Sequence, residues 1–126
     1  MSAPRRTILA IDDEQDILDV IKLALEGEGF LVHAVSQANE GLAYFEAHAR
    51  EVALVLLDYV MPEMTGDLVF EHLQRINPEV RVLLLTACED QVAKRMFAQG
   101  LRGYLQKPFY LEDLIQRVRD EVESIE

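Results

Sequence analysis

Six polar residues that could take part in chemistry each stand at the end of a short apolar run of the sequence. They are Asp12, Asp13, Glu14, Asp58, Thr86 and Lys107. If every run is a strand of one parallel sheet, the strand ends meet at the same edge, however far apart they lie in sequence. The sequence therefore predicts a single polar cluster at one edge of a sheet.

The predicted cluster has the composition of a site for a divalent cation and a phosphoryl group. Carboxylates that are brought together repel one another, and a bound cation removes that conflict. Oxygen ligands suit a hard ion such as Mg²⁺. A lysine supplies a point charge and a threonine supplies a hydrogen-bond donor for phosphoryl oxygens. Because a carboxylate can itself be the nucleophile, these residue types fit a metal-assisted acceptor of a phosphoryl group.

The elements that must position this cluster follow from the hydrophobic pattern, in which apolar runs alternate with helical periodicity. Strands are predicted at residues 8–11, 30–35, 52–57, 80–85 and 103–105. Helices are predicted from residue 14 to about residue 27, and at residues 38–49, 67–76, 90–99 and 111–125. Residues 52–57 are continuously apolar, as in strands buried on both faces. The alternation predicts an α/β fold with a parallel sheet and helices on both faces.

Length and composition favour one domain. The chain has 126 residues, of which 50% are hydrophobic and 28% are charged, so we expect a single domain at residues 1–126 with a core from about 7 to 125. The net charge of −11 argues against direct binding to nucleic acid or to an anionic membrane. Cys88 is the single cysteine and no apolar run reaches membrane-spanning length, which favours a cytoplasmic location.

Four short motifs, taken in order, resemble those of a response-regulator receiver domain. They are Asp12-Asp13-Glu14, Asp58-x-x-Met61-Pro62-x-Met64-x-Gly66, Thr86-Ala87 and Lys107-Pro108-Phe109. Each motif alone is weak, but four in order at four predicted strand ends are highly specific. The resemblance implies a single doubly wound, five-stranded parallel sheet in the flavodoxin-like order 2-1-3-4-5.

The resemblance also implies a role for each matched acid. Asp58 would accept a phosphoryl group from a phosphohistidine on a sensor histidine kinase or a phosphotransfer protein. Asp13 and Asp58 would bind Mg²⁺ directly, together with the backbone carbonyl of Val60. Asp12 would act largely through a metal-bound water. A domain of this kind catalyses only its own phosphorylation and dephosphorylation.

The same resemblance implies how the phosphorylated state would be sensed. Lys107 would pair with the phosphoryl oxygens, Thr86 would hydrogen-bond one of them, and Tyr104 would turn inward with the threonine. The peptide bond between Lys107 and Pro108 would be cis. The face formed by the fourth helix, fifth strand and fifth helix would then change. A downstream protein or a fused output domain would read that face, which is also compatible with an oligomer.

Ordinary structural explanations exist for the same residues. Asp12 and Asp13 could cap the first helix, although two acids exceed what capping requires. Thr86 could be an ordinary β-branched strand residue, and Lys107 could be a solvated surface lysine. Tyr104 could be a half-buried aromatic without a switching role. These explanations lose weight only because the residues occur together.

Two other functions are compatible with an acidic cluster at strand ends. A Mg²⁺-dependent phosphohydrolase with an aspartyl-phosphate intermediate needs an acid two residues beyond its nucleophile, and Glu14 follows Asp12 at that spacing. However, the sequence has no cap domain or substrate-binding insertion. A flavin carrier on the same sheet would need a Ser/Thr/Gly-rich phosphate loop after the first strand, where this sequence is acidic. The phosphorylation switch remains the favoured prediction.

Overall fold

The computed structural model of the chain describes residues 7–87 and 90–124. The strands in these ranges are β1 (Thr7–Ile11), β2 (Leu31–Val35), β3 (Val52–Asp58), β4 (Val82–Thr86) and β5 (Gly103–Gln106). The helices are α1 (Gln15–Glu26), α2 (Ala38–His48), α3 (Gly66–Ile76), α4 (Asp90–Ala98) and α5 (Leu111–Glu123). Cys88 and Ile125 lie outside the described residues, so the predictions that involve them stay predictions.

The strands form one parallel sheet in the order β2-β1-β3-β4-β5, which confirms the predicted fold class and strand order. The order reverses between β1 and β3, because the chain runs outward to β2 and then returns past β1. At such a switch point the connecting loops diverge and leave a crevice at the carboxyl ends of the strands. The topology therefore places the predicted cluster beside the central strands.

Helices cover both faces of the sheet, and each face has its own hydrophobic core. The core on one face includes Leu18, Ile21, Leu25, Leu114 and Val118, from α1 and α5. The core on the other face includes Phe45, Val69, Phe70, Leu73 and Met96, from α2, α3 and α4. All seven residues of β3 are buried, as expected for a central strand with a helical layer on each side.

Two predicted strands begin too early. Phe30 donates its N–H to the carbonyl of Leu25 and closes the end of α1, so β2 begins one residue later. Val80 donates its N–H to the carbonyl of Asn77 in a turn, so β4 begins two residues later than predicted. In both cases the apolar side chain is buried, but its backbone belongs to a turn. The predicted limits of α2, α3 and α4 agree with the structure to within one residue.

The carboxyl ends of the strands also differ slightly from the prediction. Asp58 and Thr86 are the last residues of β3 and β4 rather than the first residues beyond them, with Asp58 paired to Leu85 and Thr86 to Gln106. The N–H of Lys107 donates to the carbonyl of Thr86 at 2.8 Å and extends that ladder. The strands therefore hold the backbones of Asp58 and Thr86, two of the predicted site residues, directly.

Two local features that the sequence predicted are confirmed. Gly100 has a φ of 111° immediately after α4, a backbone conformation that favours glycine, and it caps that helix. The peptide bond between Lys107 and Pro108 is cis. In the part of the chain that the structure describes, no helix has the length and apolar character to cross a bilayer.

Candidate functional site

Three carboxylates meet at the carboxyl edge of the sheet. Asp12 and Asp13 follow β1 directly, and Asp58 ends the neighbouring strand β3. One oxygen from each of the three lies within 4.8 Å of the others. Asp12 is completely buried, Asp58 is 5% exposed and Asp13 is exposed to solvent. The predicted convergence of these acids is therefore confirmed.

Lys107 supplies the positive charge at this cluster. Its ammonium donates hydrogen bonds to Asp12 Oδ2 at 2.8 Å, to Glu14 Oε1 at 3.1 Å and to Asp58 Oδ1 at 3.2 Å. An ammonium has three N–H donors, so these three carboxylates engage its full capacity. The Lys107 side chain is only 12% exposed, so its ion pairs with the buried acids Asp12 and Asp58 are largely shielded from water, whereas Glu14 is exposed.

The pKa values at the cluster record the competition between burial and charge. Burial, followed by the negative charge of Asp12, raises the pKa of Asp58 to about 7, although the charge and hydrogen bond of Lys107 act in the opposite direction. Burial lowers the pKa of Lys107, but the hydrogen bond and charge of Asp12 and then the charge of Asp58 outweigh it and raise the pKa to about 12. The lysine is thus charged at neutral pH, while Asp58 is close to its midpoint.

Asp12 has a fixed orientation. Its Oδ1 accepts a 2.9 Å hydrogen bond from the backbone N–H of Glu14, and its Oδ2 accepts the hydrogen bond from Lys107. The first of these contacts satisfies a backbone donor where α1 begins, so Asp12 does help to start that helix. This hydrogen bond reaches the N–H of Glu14, the N-cap residue, and not an N–H of the first turn of α1, while the second oxygen of Asp12 faces the lysine.

The loop between β3 and α3, residues 59–65, forms one wall of the cluster and carries Val60. The N–H of Gly66 donates to the carbonyl of Tyr59 at 2.7 Å and closes the base of the loop. Met61 is 6% exposed and packs into the core beneath it. The loop is therefore anchored at both positions that flank Val60, whose own side chain is 59% exposed.

Thr86 and Tyr104 lie on the same face of neighbouring strands. Leu84 pairs with Tyr104, and Thr86 pairs with Gln106, so the threonine and the tyrosine are diagonal neighbours. Thr86 is 3% exposed, whereas Tyr104 is half-buried and meets Phe97 of α4 edge-on, with ring centroids 6.2 Å apart. This arrangement connects the edge that holds the cluster to α4.

Comparison of the sequence with models of protein families confirms the resemblance that the motifs suggested. The family model described as "Response regulator receiver domain" matches residues 8–119. The chain belongs to that family. It is a receiver domain of the kind found in two-component signalling, in which the phosphorylated residue is an aspartate.

Relatives of this receiver domain occur in several kinds of larger protein. The chain is 31% identical to the sensor kinase CckA of Brucella abortus over 119 residues, which are 94% of the chain and 13% of that protein. It is 33% identical to the probable transcriptional regulatory protein TcrX of Mycobacterium tuberculosis over 116 residues, which are 90% of the chain and 48% of TcrX. The chain thus spans less than half the length of either relative.

Solved receiver domains have the same fold as this one. A CheY-like receiver domain protein from Methanospirillum hungatei superimposes with a TM-score of 0.87 at 29% identity, with 94% of each chain covered. A receiver domain protein from Clostridium thermocellum superimposes with a TM-score of 0.85 at 30% identity, over 94% of this chain and 95% of that one.

Two features of the site were missed in the sequence. Glu14 was grouped with the acids, but its hydrogen bond to Lys107 across 93 positions has no local sequence signal. An open cleft of about 590 Å³ adjoins the lysine, with Ile17, Phe109 and Leu111 among its lining residues. These residues looked like ordinary packing positions, because the cleft forms only when α1 and the start of α5 come together.

Proposed function

We propose that Asp58 is the phosphorylated residue of this receiver domain and that phosphorylation requires Mg²⁺. The observation that carries the proposal is the convergence of Lys107 with the carboxylates of Asp12 and Asp58. The ammonium of Lys107 is a fixed cation that stands 3.2 Å from an oxygen of Asp58. Such an arrangement supplies the positioning and charge neutralisation that phosphoryl transfer needs.

The donor set fits Mg²⁺. Asp12, Asp13 and Asp58 offer carboxylate oxygens close enough together to surround one ion, and all the donors are oxygen atoms. We assign direct coordination to Asp13, Asp58 and the backbone carbonyl of Val60. We assign Asp12 a contact through a metal-bound water, because each of its oxygens already accepts a hydrogen bond. Bound Mg²⁺ would neutralise the acids and the charge that develops on the phosphoryl group.

In the transfer step the carboxylate of Asp58 attacks phosphorus and forms an acyl-phosphate O–P bond. The N–P bond of the donor phosphohistidine breaks, and the imidazole keeps the electron pair and takes up a proton. Lys107 shifts its hydrogen bonds toward the phosphoryl oxygens. Hydrolysis with one water later returns the carboxylate of Asp58 and inorganic phosphate, so the domain acts on no external substrate beyond its phosphodonor.

We propose that Thr86 and Tyr104 transmit the phosphorylated state. A hydrogen bond from the Thr86 hydroxyl to a phosphoryl oxygen would draw the threonine toward Asp58. Tyr104 would follow it, because the two side chains share one face of β4 and β5. The change would reach α4 through the contact of Tyr104 with Phe97, and a partner would read the surface of α4, β5 and α5.

The relatives support a proposal for the context of this domain. We propose that residues 1–126 form one receiver unit in the cytoplasm and that the donor is a sensor histidine kinase or a phosphotransfer protein. Relatives include a sensor kinase and a transcriptional regulatory protein, so a separate downstream protein and a fused output domain both fit. Direct contact of this domain with nucleic acid or a membrane is disfavoured by its net charge of −11.

Intact-mass spectrometry tests this proposed function. The protein is incubated with acetyl phosphate, with Mg²⁺ or with EDTA, beside an Asp58→Asn variant. We expect one phosphoryl adduct on the wild type in Mg²⁺, and none in EDTA or on the variant. A folded wild-type protein that gains no adduct and binds no Mg²⁺ would contradict the proposal. Sustained turnover of p-nitrophenyl phosphate would instead support the phosphohydrolase.

A further inference from the structure

The N-terminus of α2 is capped by a residue from a different part of the chain. Gln37, which stands at the N-cap of α2, makes no side-chain capping hydrogen bond. Instead Glu63 Oε1 accepts a 3.2 Å hydrogen bond from the backbone N–H of Ala38, the first residue of the helix. The first N–H groups of a helix need acceptors from outside it, and a negative charge is favourable there. The contact is thus a genuine cap, supplied across 25 positions of sequence.

Glu63 belongs to the loop that carries Val60, and the hydrogen bond that it accepts ties that loop to the start of α2. The base of the loop is already closed by the hydrogen bond between Gly66 and Tyr59. Beyond Val60 the loop is held by the buried side chain of Met61. The hydrogen bond that the N–H of Ala38 donates to Glu63 adds a further attachment, three residues beyond Val60. The backbone of Val60 therefore lies in a loop that is held at Tyr59, Met61 and Glu63.

The same contact connects the loop to the segment between β2 and α2, which also accepts a hydrogen bond from Asp12. The N–H of Asp12 donates to the carbonyl of Val35, the last residue of β2, at 3.2 Å. Three residues later the chain reaches Ala38, which binds Glu63. The segment from Val35 to Ala38 thus links the loop that begins with Asp12 to the loop that carries Val60, with a backbone hydrogen bond to the first and a side-chain hydrogen bond to the second.

We propose that Glu63 is a positioning residue for the metal site, which fixes the carbonyl of Val60 relative to Asp13 and Asp58. The inference rests on the proposed Mg²⁺ site, but Glu63 itself touches neither the ion nor the phosphoryl group. Groups that orient metal ligands from outside the coordination shell change metal affinity by about tenfold or more. We expect Glu63→Ala to weaken Mg²⁺ binding by about tenfold, because Mg²⁺ tolerates little departure from its preferred geometry.

Two conservative variants separate the hydrogen bond from the charge. Glu63→Gln loses the negative charge but keeps a carbonyl oxygen that can accept from Ala38. Glu63→Asp keeps the charge on a side chain one methylene shorter, which no longer reaches the helix end. We expect Glu63→Gln to bind Mg²⁺ nearly as well as the wild type, and Glu63→Asp to be weakened like Glu63→Ala. Glu79→Ala, at an exposed position in the turn before β4, controls for removal of one surface charge.

The measurement is an NMR titration of each variant of the 126-residue chain with Mg²⁺ at fixed ionic strength, with amide hydrogen exchange of Ala38 recorded in EDTA. The amide of Ala38 should exchange faster in Glu63→Ala and Glu63→Asp than in the wild type. Because EDTA removes the metal, this measurement detects loss of the cap independently of Mg²⁺ binding. Phosphorylation by acetyl phosphate should then need about tenfold more Mg²⁺ for half-maximal rate. The rate at saturating Mg²⁺ should return to that of the wild type.

Three outcomes would overturn the proposal. Fast Ala38 exchange with unchanged Mg²⁺ affinity would make Glu63 a helix cap and nothing more. Equal weakening in Glu63→Gln and Glu63→Ala, with no change in Glu63→Asp, would show a long-range charge effect. A wild-type protein that binds no Mg²⁺ would overturn the proposed function as well. In the first two outcomes the wild type still binds Mg²⁺, so they would overturn only the role of Glu63.

Discussion

The ammonium of Lys107 donates a 3.2 Å hydrogen bond to Oδ1 of Asp58, across 49 positions of sequence. The contact joins the ends of β3 and β5, two strands that are separated in the sheet by β4. Without a metal ion, this lysine is the cation that neutralises the buried acids. The stability of the metal-free domain should therefore depend on whether the carboxyl of Asp58 is protonated or is charged and paired with Lys107.

The raised pKa of Asp58 predicts that the metal-free domain loses stability as pH rises. Asp58 has a pKa of about 7 in the folded domain, against an ordinary value of 3.8. Between these two values the folded protein holds a proton that the unfolded chain has released, so stability falls with rising pH across that window. Above about pH 7 the ionisation of Asp58 causes no further loss of stability, because Asp58 is charged in both the folded and the unfolded state.

Asp58→Asn removes that titration, so the variant should be more stable than the wild type in EDTA at about pH 8. The advantage should shrink toward about pH 4, where the wild-type carboxyl is protonated when folded. Urea unfolding at several pH values measures the difference, with Asp113→Asn at an exposed position of α5 as the control for charge. A constant advantage at every pH would show that Asp58 does not titrate in this window.

Removal of Lys107 should make folding depend on Mg²⁺. In Lys107→Ala the carboxylates of Asp12 and Asp58 stay buried without their cation, which should lower the free energy of unfolding by about 3 kcal/mol in EDTA. Saturating Mg²⁺ should restore most of this loss, since the ion supplies the missing positive charge. Lys94→Ala on an exposed position of α4 serves as the control. Equal destabilisation with and without Mg²⁺ would mean that the ion does not bind among these acids.

Gly66 is required by close packing rather than by an unusual backbone angle. A Cβ at this position would lie 2.8 Å from the Cα of Tyr59 and 3.0 Å from the carbonyl oxygen of Asp58, both backbone atoms that cannot easily move aside. We expect Gly66→Ala to lower the free energy of unfolding by about 1–3 kcal/mol and to weaken Mg²⁺ binding, because the loop of Val60 must shift.

Gly27→Ala is a matched control for that substitution. A Cβ there would meet carbonyl oxygens at 3.4 Å, an ordinary contact, and Gly27 has a helical φ of −62°. Alanine should therefore be neutral or slightly stabilising at the end of α1. Thermal unfolding and Mg²⁺ titration of both variants give the comparison. A Gly66→Ala variant with wild-type affinity for Mg²⁺ would show that the geometry of this loop does not govern the site.

Thr86→Val should separate phosphorylation from its transmission. Valine keeps the β-branched shape that the end of β4 buries, but it has no hydroxyl to bind a phosphoryl oxygen. We expect Mg²⁺ binding to be unchanged, while the shift of the Tyr104 ring resonances on addition of beryllofluoride disappears. NMR spectra of tyrosine-labelled protein measure this. If Tyr104 responds equally in the wild type and the variant, the hydroxyl of Thr86 does not carry the signal.

The order of elements could be predicted because each one carries its own local signal. The apolar run of β3 is typical of a strand buried on both faces, and the helical stripe of α5 is equally distinct. Val80 misled the prediction, because its apolar side chain is buried while its N–H bonds to Asn77 in a turn. A hydrophobic pattern reports burial, and it reports backbone pairing only indirectly.

The members of the acidic cluster could be predicted, but their connections could not. Asp12, Asp58 and Lys107 were grouped because parallel strands end at one edge, a rule that needs no knowledge of distances. The hydrogen bond that the N–H of Ala38 donates to Glu63 depends on how a loop folds over the start of a helix 25 positions away. No periodicity encodes such a contact, since it arises from the packing of two complete elements.

Chemical mapping of the phosphoryl group tests directly whether Asp58 is the phosphorylated residue. The wild-type protein is phosphorylated with acetyl phosphate and Mg²⁺, reduced with borohydride, which converts an acyl phosphate to an alcohol, and mapped by peptide mass spectrometry. We expect a single reduced side chain, at Asp58. A reduced side chain at Asp12 or Asp13 with Asp58 unmodified would contradict it.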